Sequence, residues 1–183
     1  MSNYFFSVIN LKKEMCASVP KTPGVYKWWA KRDILEKLLG KLNLKIDDVL
    51  QYLEVVDGYF CIYIGIAKSM QMRLNWHILD KHTKSSVKSG YLSTLRQTLS
   101  SIFGADMMDE KTTSEIIDKL SLTYEIVAGD EDCAINKIKE KEKFLLRNNP
   151  KLYILNIHGN KHPMAQNAKL RQLRTRAKQL ALR

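Results

Sequence analysis

The chain has 183 residues, 45% of them hydrophobic, which suffices for one domain with a real core and fits an ordinary globular protein. Thirty Lys and Arg against nineteen Asp and Glu give a net charge of +11 and a pI near 9.5, the balance of a protein that meets a polyanion. The longest apolar run, YFCIYIGIA, falls far short of the roughly 20 residues of a membrane span, and MSNYFFSVINLKKEM lacks the basic-then-apolar order of a secretory signal, so a cytoplasmic protein is expected.

Residues 4–17 have the spacing of a short amphipathic helix, ended by the prolines and glycine of SVPKTPG. GVYKWWA (24–30) is aromatic and β-branched and follows a Pro-Gly turn, which predicts a strand. Residues 31–54 read as two helical pieces, with Asp47 placed to cap the second. DGYFCIYIGIA (57–67) returns as a strand whose continuous apolar run predicts burial on both faces. LTYEIVAG (122–129) is a third strand, and helices are expected at about 69–80, 91–103, 112–120, 131–147 and 166–181. So few strands among so many helices predict an α+β fold: a small three-stranded antiparallel sheet flanked by helices. No repeat or linker divides the chain. Residues 1–183 are expected as one domain, with a core at about 20–160, a helical insertion at about 30–56 between the first two strands, and a basic C-terminal helix at about 164–183.

Cys16, Cys61 and Cys133 are odd in number and form no CxxC pair, so reduced thiols and no zinc site are expected. The positive charge is clustered. No acidic residue occurs from Lys81 to Ala105 or from Lys161 to Arg183. The expected nucleic-acid contacts are Lys68, Lys84, Lys88 and Arg96, then Lys169, Arg171, Arg174 and Lys178 on the last helix, whose apolar stripe Leu170, Leu173, Ala177 and Leu180 should dock on the body. A merely soluble basic surface is the competing explanation of this charge.

On a helical wheel, residues 69–80 put Met70, Leu74 and Ile78 in one apolar stripe and Met72, Trp76 and Leu79 in another. Between the two lie Arg73, His77 and Asp80. A polar sector walled by apolar side chains suits a cleft, whereas a solvated surface network would be worth only a few tenths of a kcal/mol. Residues 131–147 hold a sharper anomaly: Glu142 lies on the stripe of Ala134, Ile135, Ile138, Leu145 and Leu146, while Glu140 points away among lysines. A carboxylate there needs a partner. It is either half of a buried salt bridge, with Arg73 as one partner, or a metal-ligand or catalytic carboxylate.

These residues carry a resemblance. GVY at 24–26, YIG at 63–65, an arginine ten positions after Tyr63, a helical glutamate and a following asparagine resemble the GIY-YIG nuclease family over about residues 20–160. YIGIAKSMQMR supplies its strand, glycine turn and arginine-bearing helix. His77 resembles the histidine one turn beyond that arginine in many members. EKFLLRNNPKLYILN resembles the closing segment, from the metal-ligand glutamate, Glu142, to a structural asparagine, Asn156. One departure stands out: the family joins its two tripeptides by a short loop, whereas residues 27–62 intervene here. The helical part of that insertion carries five basic and five acidic residues, so it reads as scaffold or lid before DNA recognition.

The resemblance implies a divalent-metal-dependent endonuclease that hydrolyses phosphodiester bonds in DNA, of a stand-alone restriction-like or mobile-element type. Glu142 would hold one Mg2+ or Mn2+ per site, since magnesium suits a lone carboxylate with waters and phosphate. Arg73 would neutralise the scissile phosphate. Tyr26 would be the general base and Tyr63 would position water or phosphate. His77 would relay the proton or bind phosphate, and Asp80 would orient its ring. Gly65 would permit the strand-to-helix turn, and Asn156 would brace the backbone. The expected partner is nucleic acid, double-stranded DNA first, bound by a monomer or homodimer with no membrane. The alternative is a non-catalytic nucleic-acid-binding module on the same fold.

Overall fold

The computed structural model describes residues 5–148 and 151–183. Its frame is a five-stranded antiparallel sheet in the order β1-β5-β2-β4-β3, formed by β1 (Phe6–Ser7), β2 (Gly24–Ala30), β3 (Val55–Val56), β4 (Tyr59–Ala67) and β5 (Ser121–Ile126). The fold is α+β, but the sheet exceeds the expected three strands by two short edge pieces. β3 joins β4 through Asp57 and Gly58, both with positive φ (+49° and +76°), the backbone of a two-residue hairpin. The Asp-Gly dipeptide signals that turn in the sequence; the two residues before it are too few to show a period. β1 lies beside β5, and the Phe6 ring stacks on Tyr124 at 4.8 Å. Residues 4–17 are therefore not one helix: within the described part, β1 leads into a short α1 (Val8–Lys13).

Around the sheet run α2 (Arg32–Lys41), α3 (Ile46–Val49), α4 (Met70–Leu79), α5 (Lys84–Ser89), α6 (Thr94–Phe103), α7 (Glu110–Ile117), α8 (Glu131–Arg147) and α9 (Asn167–Ala181). Asp47 does not cap α3. The cap position is Lys45, and Asp47 sits in the first turn, where its charge suits the helix dipole. The insertion is part of the body, since Ile34, Leu35, Leu38 and Leu39 of α2 pack with Val49 and Leu53 in the main core. α5, unexpected from the sequence, is closed by a capping box between Thr83 and Ser86. α6 begins at Thr94 rather than 91 because the Ser93 side chain accepts the Arg96 N–H and fixes the helix start there. No helix among the described residues is long and apolar enough to cross a membrane.

The central strand β2 is buried nearly throughout, paired to β4 on one side and β5 on the other. Its register with β4 shifts once: Trp28 faces Tyr63, but Trp29 faces Cys61, so Ile62 is an extra residue on β4. The bulge puts Ile62 and Tyr63 in the main core with Tyr26 and Trp28, while Cys61 and Ile64 join Trp29, Leu146 and Tyr153 in a second cluster. Strict alternation would have separated Ile62 from Tyr63. The bulge thus sets which face Tyr63 presents.

Candidate active site

Across the β2–β4 pair, Tyr26 is opposite Gly65 and Trp28 is opposite Tyr63, so the two tyrosines are diagonal neighbours on one face. Their ring centroids are 6.4 Å apart, and both side chains are buried. Gly65 lies inside β4 and makes no turn, contrary to the sequence expectation; the passage to α4 comes later, at Lys68 and Ser69. What requires glycine is Tyr26. A Cβ at position 65 would stand 2.4 Å from the Tyr26 hydroxyl and 2.5 Å from its ring carbon Cζ. Beside it, Asn156 makes a two-point contact with β4: Oδ1 accepts the Ile64 N–H at 2.9 Å, and Nδ2 donates to the Ile64 carbonyl at 2.8 Å. Its side chain thereby bonds the backbone between Tyr63 and Gly65 as a neighbouring strand would.

α4 brings His77 and Arg73 to this face. Ring atom Nε2 of His77 lies 2.7 Å from the Tyr26 hydroxyl, and Nδ1 lies 3.0 Å from Ser93 Oγ. Its ring is stacked on Trp76 and meets Trp28 edge-on, in aromatic surroundings that leave 1% of the residue exposed. That burial, reinforced by Arg73 and Arg96, pushes the imidazole down to about 3, so the ring is neutral at physiological pH. Asp80, expected to orient it, instead accepts the Ser93 backbone N–H at 3.4 Å. Ser93 is the group on Nδ1. Nothing in the sequence links positions 77 and 93.

Arg73 is half-buried, with its guanidinium 4.7 Å above the Trp76 ring. Met72, expected on an apolar stripe with Trp76 and Leu79, is 71% exposed. On α8, Glu142 is also half-buried, and burial raises its carboxyl while Arg73 opposes that shift. Yet Glu142 and Arg73 form no ion pair, and neither side chain makes a hydrogen bond among the described residues. The charge of each reaches both phenols. Tyr26 stands well above the usual phenol range, first through burial, then through Tyr63 and Glu142, with Arg73 opposing. Tyr63 is pushed up to about 12 by burial and Glu142, against Arg73 and then Arg174. Both phenols are therefore protonated at rest.

Tyr26, Tyr63, Arg73, His77 and Glu142 thus share one electrostatic environment, with Gly65 and Asn156 shaping the strand beneath. The basic residues divide differently. Lys68, Lys84, Lys88 and Arg171 are exposed. Arg96 is 1% exposed and cannot meet a nucleic acid: its guanidinium donates to His82 Nε2, the His77 and Ile78 carbonyls and Ser114 Oγ. Lys169 donates to the Leu42 carbonyl, Lys178 to that of Lys88 and Arg174 to Gln97 Oε1, so these three dock α9. In the α9 stripe Ala181 is buried where Leu180 was expected, and Leu180 is 40% exposed.

A hard divalent cation suits this donor set. Magnesium takes one or two carboxylates and completes its shell with water and phosphate, and Glu142 is an unpaired carboxylate whose burial makes a cationic partner favourable. No group of three or more His, Cys, Asp or Glu among the described residues would hold a metal by protein ligands alone. Cys16, Cys61 and Cys133 are free thiols.

A family model described as the GIY-YIG catalytic domain matches residues 24–178. No curated protein and no solved structure matches the chain.

Proposed function

This chain belongs to the GIY-YIG catalytic domain family, and we propose that it is a divalent-metal-dependent endonuclease that hydrolyses phosphodiester bonds in DNA, of stand-alone restriction-like or mobile-element type. A nuclease-type function on a nucleic acid comes with the family; the metal, the DNA substrate and the biological type are our reading. One observation carries it. Glu142 and Arg73 are half-buried opposite charges in one site, and neither makes an ion pair or a side-chain hydrogen bond with the other or with the described residues around them, Arg73 resting on the Trp76 ring alone. A fold that used them as a structural pair would have joined them, because a charge partly withdrawn from water is less favourable without a partner. Left apart, they suit a ligand with both a cation and an anion: a metal ion and a phosphate.

The roles follow from chemistry and position. Arg73 takes the scissile phosphate, whose oxygens match its planar fork. Tyr26 is the base. Its phenol is too weak an acid to shed a proton at rest, so its oxygen accepts the water proton as its own passes to His77 Nε2, 2.7 Å away. His77 is a poor acceptor first because it is buried and then because Arg73 and Arg96 are near; a phosphate on Arg73 offsets one of those charges and raises its basicity in part. Ser93 Oγ fixes the ring from Nδ1. Tyr63 positions water or phosphate. Glu142 would hold one Mg2+ or Mn2+ per site, which when bound would stabilise charge on the leaving oxygen.

The test is Glu142→Gln, which keeps the shape and removes the charge. Cleavage of a randomised library, offered both as duplex and as single strand in magnesium, should fall by orders of magnitude, since such stabilisation is worth several kcal/mol. Nucleic-acid binding should persist or improve. Glu140→Gln, on the lysine-rich face, should cut at the parent rate. A folded Glu142→Gln protein that cuts at the parent rate ends the metal-ligand assignment. A wild-type protein that binds but never cuts is the non-catalytic module.

A further inference from the structure

Beside Arg73 an open groove of about 440 Å³ is lined by Lys68, Ser69, Met72, Arg73, Trp76 and Tyr91. We propose that this groove is a nucleobase subsite, which receives one unstacked base of the substrate strand next to the phosphate taken by Arg73. The proposal rests on the nuclease reading and adds to it the state of the substrate: single-stranded, or locally unpaired at the cut.

Surface apolar side chains scattered singly need no explanation. These are not scattered. Met72 is 71% exposed, Tyr91 is 67% exposed, and the Tyr91 ring lies 5.3 Å from that of the half-buried Trp76. An aromatic ring with a free face and a polarisable thioether beside it are what a flat base stacks on. The lining has two cations, Lys68 and Arg73, and no acid, which complements a phosphodiester strand. Arg73 ties the groove to the chemistry, because the guanidinium over the Trp76 ring is the one whose charge acts on Tyr26, Tyr63 and Glu142. A phosphate on that guanidinium leaves its own nucleoside at the mouth of the groove.

The volume of the groove lies within the range of about 300–1,000 Å³ typical of ligand pockets. A base still stacked in a duplex cannot enter, so the site favours a strand already unpaired, or unpaired at a modest cost.

The experiment uses the full chain with a chelator, so that binding is read without turnover. The probe is a short single-stranded oligonucleotide carrying one 2-aminopurine, compared with a duplex of the same sequence. Wild-type protein should bind the single strand and change the 2-aminopurine emission. Tyr91→Ala, at an exposed position, should weaken single-strand binding about tenfold and restore the emission, with duplex affinity nearly unchanged. Met72→Ala should act in the same direction. If Tyr91→Ala binds the single strand as tightly as wild type while wild type still cuts in magnesium, the base subsite is wrong and the nuclease reading stands. A wild-type protein that neither binds nor cuts nucleic acid removes both. A concentration-dependent dimer that disappears in Tyr91→Ala, with oligonucleotide binding unchanged, would give the groove to a second copy of the chain and overturn the proposal.

Discussion

His77 is held in neutral form by what surrounds it: Trp76 and Trp28 against the ring, the protonated Tyr26 and Tyr63 nearby, and the cations Arg73 and Arg96. That arrangement has a consequence for stability. As pH falls below 6.5 the unfolded chain protonates this imidazole, while the folded ring resists until about 3. The depressed value therefore contributes stability that is complete above about 6.5 and is lost as pH falls toward 3. The slope reaches at most about 1.4 kcal/mol per pH unit for one proton. Unfolding of wild type and His77→Gln, followed from pH 8 down to pH 4, should diverge in slope only below about 6.5, with wild type the steeper. The nitrogen resonances of the His77 ring should not move between pH 8 and pH 5. Parallel slopes, or a ring that titrates near 6, would remove the aromatic enclosure as the cause.

At the scale of elements, the site depends on β4 more than on any helix. The bulge at Ile62 turns Tyr63 toward Tyr26, Gly65 leaves room for the Tyr26 ring, and Asn156 bonds the strand from its open edge. Gly65→Ala would push a methyl group into the Tyr26 hydroxyl, and overpacking of this kind costs typically about 1–3 kcal/mol. The ring must swing away from His77, so cleavage should collapse by more than the loss of stability explains, while nucleic-acid binding persists. Gly40 provides the contrast. It lies within α2, is exposed, and an added Cβ would meet nothing within 4 Å. Gly40→Ala should therefore raise stability by about 0.5–1 kcal/mol with activity unchanged. Denaturant unfolding and a cleavage assay on the two variants separate a steric requirement from a general dislike of side chains at glycine positions. Equal activity in both would show that Tyr26 need not stand where it does.

For the whole molecule, the net charge of +11 is partly committed to internal structure. Arg96 is buried with four hydrogen-bond partners, and Lys169, Arg174 and Lys178 tie α9 to the body. The basic residues left facing solvent on α9 include Arg171 and Arg176. Replacing these two by Gln should flatten the salt dependence of DNA binding, by up to about 0.9 in the logarithmic slope for each phosphate no longer neutralised. Arg174→Gln should instead lower the melting temperature by breaking the link to Gln97, with a smaller effect on slope. Affinity measured over a salt series, beside thermal unfolding, distinguishes the two. An unchanged slope in the double variant would mean that α9 faces something other than phosphate.

Local patterns were enough to find β2, β4, β5 and most of the helices, because strand and helix periods are properties of a few consecutive residues. Helical periods singled out Arg73, His77 and Glu142, and the resemblance to the GIY-YIG family, carried by two tripeptides and the ten-residue step from Tyr63 to Arg73, added Tyr26 and Tyr63. The edge strands β1 and β3 escaped because two residues have no period. A sequence counts cationic side chains but does not show which the fold engages, so Arg96 was misplaced at the surface, and Lys169, Arg174 and Lys178 were expected on phosphate where they bond the body. The partnership of Ser93 with His77, the clearance that Gly65 gives Tyr26, and the separation of Glu142 from Arg73 join residues distant in sequence or depend on ångström distances. Packing sets those distances, and it is a property of the assembled chain alone.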